Sequence, residues 1–121
     1  MISTQDLFDN KKRKFGAMSS ETRFTEAFLE ALQLISSDFQ VEASLSFDAP
    51  TNINTDIDID TKFTSYVSNG LDFYLANTGE WQLQDVPEFE RRYQRSKNLV
   101  QMENMRDLGR TGKLGDLSAN G

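Results

Sequence analysis

The stretch from Phe63 to Leu75 constrains this chain more than any other. Phe63, Tyr66, Val67, Gly70, Leu71, Tyr74 and Leu75 recur at the three- and four-residue spacing of one helix face. A stripe that wide must be covered, and Gly70 inside it costs up to ~1 kcal/mol of helix propensity relative to Ala while letting another element approach closely. The pattern therefore predicts close helix packing at Gly70. Two further segments offer the cover. Between Ser20 and about Ser36, Phe24, Phe28, Ala31, Leu32 and Ile35 share one face. Asp85-Val86-Pro87-Glu88 then combines a capping-box spacing with a proline suited to a first helical turn. Phe89, Tyr93, Ser96, Leu99, Val100 and Met102 continue that stripe to about Asp107. Asn77 and Gly79 end the middle helix, leaving Trp81 and Leu83 in a short connection. The fold class expected is mainly α, a small bundle of three main helices whose core includes Phe24, Phe28, Leu32, Val67, Leu71, Leu75 and Phe89.

Between the first two helices the period changes. Phe39, Val41, Ala43, Leu45 and Phe47 alternate with Gln40, Glu42, Ser44 and Ser46. After the turn-forming Asp48-Ala49-Pro50-Thr51-Asn52, Ile53, Ile57 and Ile59 face away from Asn54, Asp56, Asp58 and Asp60. This predicts an extended, β-hairpin-like segment over 39–59. An isolated two-stranded ribbon is marginal in water, so it must pack on helices or pair with another chain. Val41, Leu45 and Phe47 are its candidate contacts between subunits, and Asp58 or Asp60 is placed to cap the next helix. Ser3 and Asp6 have the spacing to cap a short helix near the N-terminus, but apolar residues there are too sparse to bury it alone. Residues 1–19 are thus expected to form a basic arm, mobile or docked on a partner, and the glycine-rich 109–121 a flexible tail around a domain spanning 20–108.

Several function classes are disfavoured by composition. The 121 residues include no Cys and no His, which removes thiol nucleophiles, thiolate zinc sites and the side chain that titrates near neutrality. No catalytic, cofactor-binding or metal residue is assigned. Asp56-Ile57-Asp58-Ile59-Asp60 begins like a calcium loop, but Thr61 stands where that loop needs Gly and Val67 where it needs Glu. The apolar runs fall far short of the ~20 residues that span a bilayer, so the expectation is a soluble, non-secreted chain without a membrane partner. Tyr74, Phe73, Tyr93 and Trp81 suit either core anchors or a ligand platform.

Charge is segregated. Residues 1–14 carry four bases against two acids, 15–85 only Arg23 and Lys62 against twelve acids, and 86–121 seven bases against five acids, for a net charge of −6. That balance disfavours sequence-specific duplex binding, which needs a basic surface. Basic ends around an acidic middle suit association of copies with one another or with a larger partner, although solvated surface charge produces the same pattern. Lys11, Lys12, Arg13 and Lys14 are candidate anchors for an acidic protein surface or phosphate. Arg91, Arg92 and Arg95 are candidates on the last helix, where Glu88 is also spaced to pair with Arg91 and Arg92.

The order of elements is a helix, an acidic extended segment, Asp60-Thr61-Lys62-Phe63 leading into Gly70-Leu71-Asp72-Phe73-Tyr74-Leu75-Ala76, then a charged helix with Phe89 and Tyr93. Over residues 22–105 this resembles the head-to-tail connector, or adaptor, proteins of tailed bacteriophages. The resemblance implies a non-enzymatic structural virion protein forming a homo-oligomeric, dodecameric ring below the portal. Its partners would be the portal protein and tail or neck proteins, with DNA passing through without sequence specificity. It would reside at the head-to-tail interface of the virion, and in the host cytoplasm during assembly. Alternatives are another phage neck or tail-completion protein, a small regulatory protein binding one partner, or a carboxylate-dependent enzyme using Asp56, Asp58 and Asp60.

Overall fold

A computed structural model describes residues 1–15, 21–77 and 86–110. Among them are four α-helices: α1 (Thr4–Phe15), α2 (Glu21–Ala43), α3 (Thr64–Ala76) and α4 (Val86–Arg110), with a 3-10 turn at Thr61–Phe63 leading into α3. The chain is mainly helical, as its apolar periodicity requires. The connection holding Trp81, the Asp85 cap and the tail from residue 111 lie outside the described residues.

The β-hairpin-like segment does not form. Among the described residues there is no strand, only an isolated antiparallel bridge between Ile2 and Ile57. Residues 39–43 instead extend α2, because Phe39 and Ala43 continue the four-residue series of Phe28, Leu32 and Ile35 and are buried with it, whereas Val41 is 77% exposed. A strand would have put Phe39, Val41 and Ala43 on one side. The helix ends at Ser44, whose φ of 56° lies in the left-handed region. The following loop is held from within. Phe47 packs its ring 5.7 Å from that of Phe39, and its carbonyl accepts a 2.7 Å bond from Ser36 Oγ. The Asn52 side chain accepts from the Asn54 amide at 2.9 Å and from the Thr55 hydroxyl at 3.1 Å, closing an Asx turn. Asp60 caps the 3-10 turn by accepting from the Lys62 amide at 2.9 Å, as its place before the apolar stripe suggests.

The N-terminal residues are not an arm outside the body. Ser3 Oγ accepts from the Asp6 amide at 3.2 Å, and α1 lays Leu7, Phe8 and Phe15 into the core. The Phe8 ring meets Phe24 and Phe28 at centroid separations of 5.4 and 5.2 Å, and Phe15 meets Phe89 at 6.1 Å. Reciprocal 2.9 Å backbone bonds join Ile2 to Ile57, and Thr4 Oγ1 donates to the Thr55 carbonyl at 2.6 Å. One helix and one loop thus cover surface that the three-helix reading left open.

Helices α2, α3 and α4 converge at Gly70. A Cβ built there would lie 2.8 Å from Ile35 Cγ1 and 2.9 Å from Tyr93 Cε1, so the glycine is where three helices touch. Every residue expected in the core is buried. Leu99 and Met102 depart from the expected stripe: the buried face of α4 follows Phe89, Tyr93, Ser96 and Val100, and Leu99 and Met102 point to solvent at 60% and 66% exposure.

Candidate functional site

Of the basic run at the end of α1, half turns inward. Lys11 is 2% exposed; its ammonium donates to Ser68 Oγ at 2.8 Å and lies 2.8 Å from one carboxylate oxygen of Asp72. Lys14 reaches the other Asp72 oxygen at 3.0 Å and stacks over the Phe89 ring, 4.7 Å from its centroid. Burial pushes the Lys11 pKa below its ordinary value, and the Asp72 carboxylate pulls it partly back. Lys11 is therefore an internal tie between α1 and α3, while Lys14 makes its tie to Asp72 from an exposed position. Lys12 and Arg13 remain exposed on the opposite side of α1. The acceptor, Asp72, was legible as the lone acid within the apolar α3.

The three candidates from the extended segment are also separated. Val41 is exposed on α2, Leu45 is 51% exposed in the loop, and Phe47 is buried and cannot meet a partner. On α4, Arg91 and Arg92 both hold the Glu88 carboxylate, Arg92 Nε at 3.1 Å, and Arg91, Arg92 and Arg95 are all exposed. Of the aromatic residues expected as core anchors or a platform, Phe73, Tyr74 and Tyr93 pack with the core, while Trp81 lies outside the described residues: Tyr93 touches Tyr66, Phe73 and Tyr74 at centroid distances of 5.4, 5.6 and 5.8 Å.

Asp38 of α2 collects polar groups from two helices. Its Oδ2 accepts from the Tyr74 hydroxyl and, at 2.8 Å, from that of Tyr93, with the Lys97 ammonium 3.7 Å away. Among the described residues the buried Tyr66 hydroxyl meets no hydrogen-bond partner, and burial pushes its pKa up to about 12. Burial also raises Tyr74, helped by its bond to Asp38, and raises Tyr93, helped by Tyr66 and Asp38. The phenols stay protonated at neutral pH, and those of Tyr74 and Tyr93 donate to Asp38. The cluster ties α2, α3 and α4 together.

The feature open to another molecule is a groove beside the C-terminal half of α4. Two adjoining hollows of about 350 and 640 Å³ share Lys62, Phe63, Val100 and Glu103. Leu45 and Ile59 line the first hollow, and Leu99 and Met102 the second, so large apolar side chains flank both. Asp58, Asp60 and Glu103 line the first hollow with Lys62, giving it a net negative charge, and a 2.8 Å Lys62–Glu103 ion pair lies where the hollows meet. Among the described residues, no three Asp, Glu, His or Cys side chains are grouped to hold a metal ion, and no helix is long and apolar enough to cross a membrane. Comparison with protein-family models, with curated proteins and with solved structures finds no match to this chain.

Proposed function

We propose that this chain is a non-catalytic assembly protein, a head-to-tail adaptor of a tailed bacteriophage whose copies associate into a ring between portal and tail. The observation that carries an assembly role is the groove, which leaves Leu45, Leu99 and Met102 in water on a chain of modest core size. Exposed large side chains grouped around a concave, polar-rimmed surface mark protein contacts more often than chemistry. The phage assignment rests on the order of elements, with the acidic loop 44–60 between α2 and α3 and the charged α4 closing the series. In such a ring the acidic loop and α2 would repel passing DNA phosphates and limit adhesion to them.

Native mass spectrometry of the purified chain, joined to electron microscopy of the assembly in which it occurs, tests this reading. A closed ring of many copies at a head-to-tail junction is expected. A stable 1:1 complex with one unrelated protein would support a regulatory partner-binding protein instead, and density elsewhere in a phage neck or tail would support a completion protein.

A further inference from the structure

We infer that the groove receives the arginine-bearing face of α4 from a second copy of the chain, in a head-to-tail contact. The inference rests on the ring reading and names the surface that builds the ring. The first argument is charge. Asp58, Asp60 and Glu103 outnumber Lys62 around the first hollow, so the occupant must bring cations along with apolar contact.

The chain itself carries that complement. Arg91, Arg92 and Arg95 stand exposed on the first half of α4, Arg91 and Arg95 on the side away from buried Phe89, Tyr93 and Ser96 and Arg92 at the edge of that buried face. A guanidinium fork matches a carboxylate in two parallel hydrogen bonds, which suits Arg better than Lys to such a rim. The basic run of α1 is mostly lysine, and its Lys11 and Lys14 share Asp72; Arg91 and Arg92 likewise share one carboxylate, Glu88, but Arg95 adds a third guanidinium to that face.

The second argument is geometry. The arginines and the groove share one rigid helix, with Arg95 eight residues before Glu103. At 1.5 Å rise per residue Arg95 and the Glu103 of the acidic first hollow are ~12 Å apart along the axis, although the second hollow begins at Ser96, and side chains fixed on one helix do not fold back along it to fill that first hollow. A contact between two different surfaces of identical chains leaves one of each unfilled at either end. Such contacts continue until a rotation closes them into a ring.

The test uses the full chain with two variants at exposed positions. Asp58→Lys with Met102→Lys spoils the groove, and Arg92→Glu with Arg95→Glu spoils the arginine face. Circular dichroism checks that both stay folded, and sedimentation velocity reads assembly. The wild type should exceed a dimer. Each variant alone should need about tenfold or more protein to associate. Mixed, the two should form a 1:1 pair and stop, since only one functional contact remains. Raising salt from 0.1 to 1 M shortens screening from ~10 to ~3 Å and should loosen the wild-type assembly, where a purely apolar contact would tighten. A ring left intact by both variants overturns this inference and leaves the ring reading standing. A wild-type dimer dissolved by both variants keeps the contact between groove and arginines and overturns the ring. A wild type that stays monomeric at every concentration overturns the inference.

Discussion

Replacing Gly70 by Ala sets two effects of known sign against each other. In an exposed helix the change would stabilise by up to ~1 kcal/mol, because glycine pays more backbone entropy and exposes more backbone. Here the new methyl would sit 2.8 Å from Ile35 Cγ1 and 2.9 Å from Ile35 Cδ1 and Tyr93 Cε1, well inside van der Waals contact. The isoleucine tip can rotate away. The tyrosine ring cannot, because it is packed among three other aromatic rings and its hydroxyl is bonded to Asp38. Forcing an extra methyl into a packed core costs ~1–3 kcal/mol, which against a propensity gain of ~1 kcal/mol leaves a net destabilisation of ~0–2 kcal/mol. For a chain of this size that lowers the melting temperature by up to about 8 °C. Urea denaturation followed by far-UV circular dichroism measures it directly. Ile35→Val removes one of the clashing carbons, so in a double-mutant cycle the pair should be less destabilised than the two single changes combined, by about 0.5 kcal/mol or more. A Gly70→Ala protein more stable than the wild type by the ~1 kcal/mol of an open helix site, with no coupling to Ile35→Val, would show that the three helices do not meet at this residue.

Three further outcomes can be checked by the same denaturation assay. Leu71, fully buried in α3, should cost ~2–5 kcal/mol when cut to Ala, and an unchanged midpoint would remove it from the core. Asp72→Ala leaves Lys11 buried without a counter-charge and should cost ~3–5 kcal/mol, while Lys11→Met with Asp72→Leu should recover most of it; equal losses would mean that the charges do not matter. Tyr66 holds its proton to about pH 12 in the fold against 10 when unfolded, so its contribution is complete below pH 10 and lost between 10 and 12. That loss amounts to up to ~3 kcal/mol. Lys11, with its pKa lowered, works the other way and gains stability as pH rises toward 10.5. A urea midpoint that still rises from pH 10 to 12 would contradict the burial of the Tyr66 phenol.

The helical periods around Phe24, Phe63 and Phe89 were legible because one buried face leaves a three- and four-residue signature whatever lies against it. The segment 39–43 was not, because Phe39-Gln40-Val41-Glu42-Ala43 satisfies both periods over so short a run. What decides it is Ile35 upstream: the series Ile35, Phe39 and Ala43 carries the helix through, and Val41 is left in water. The alternation after Pro50 was read correctly as to side, with Ile57 buried and Asp56 and Asp58 exposed. It nevertheless forms no ladder, since Ile2 supplies a single bridging residue opposite it.

The N-terminal helix shows why charge counting misplaced part of the candidate surface. Thr4, Leu7, Phe8, Lys11 and Phe15 recur at helical spacing and all five are buried, with a lysine in the middle of the stripe. Read as a run of like charges, Lys11-Lys12-Arg13-Lys14 looks solvated. Wound onto a helix, the run splits, and Lys11 and Lys14 fall three residues apart on the side facing α3. A buried ammonium is tolerable only beside a carboxylate, and α3 offers one acid, Asp72, set between Leu71 and Leu75 on its buried side. Two oddities in the sequence, a base in an apolar stripe and an acid in another, therefore resolve each other. Their pairing takes Lys11 out of the N-terminal surface, and the exposed arginines of α4 stand on the same helix whose far half borders the acidic groove.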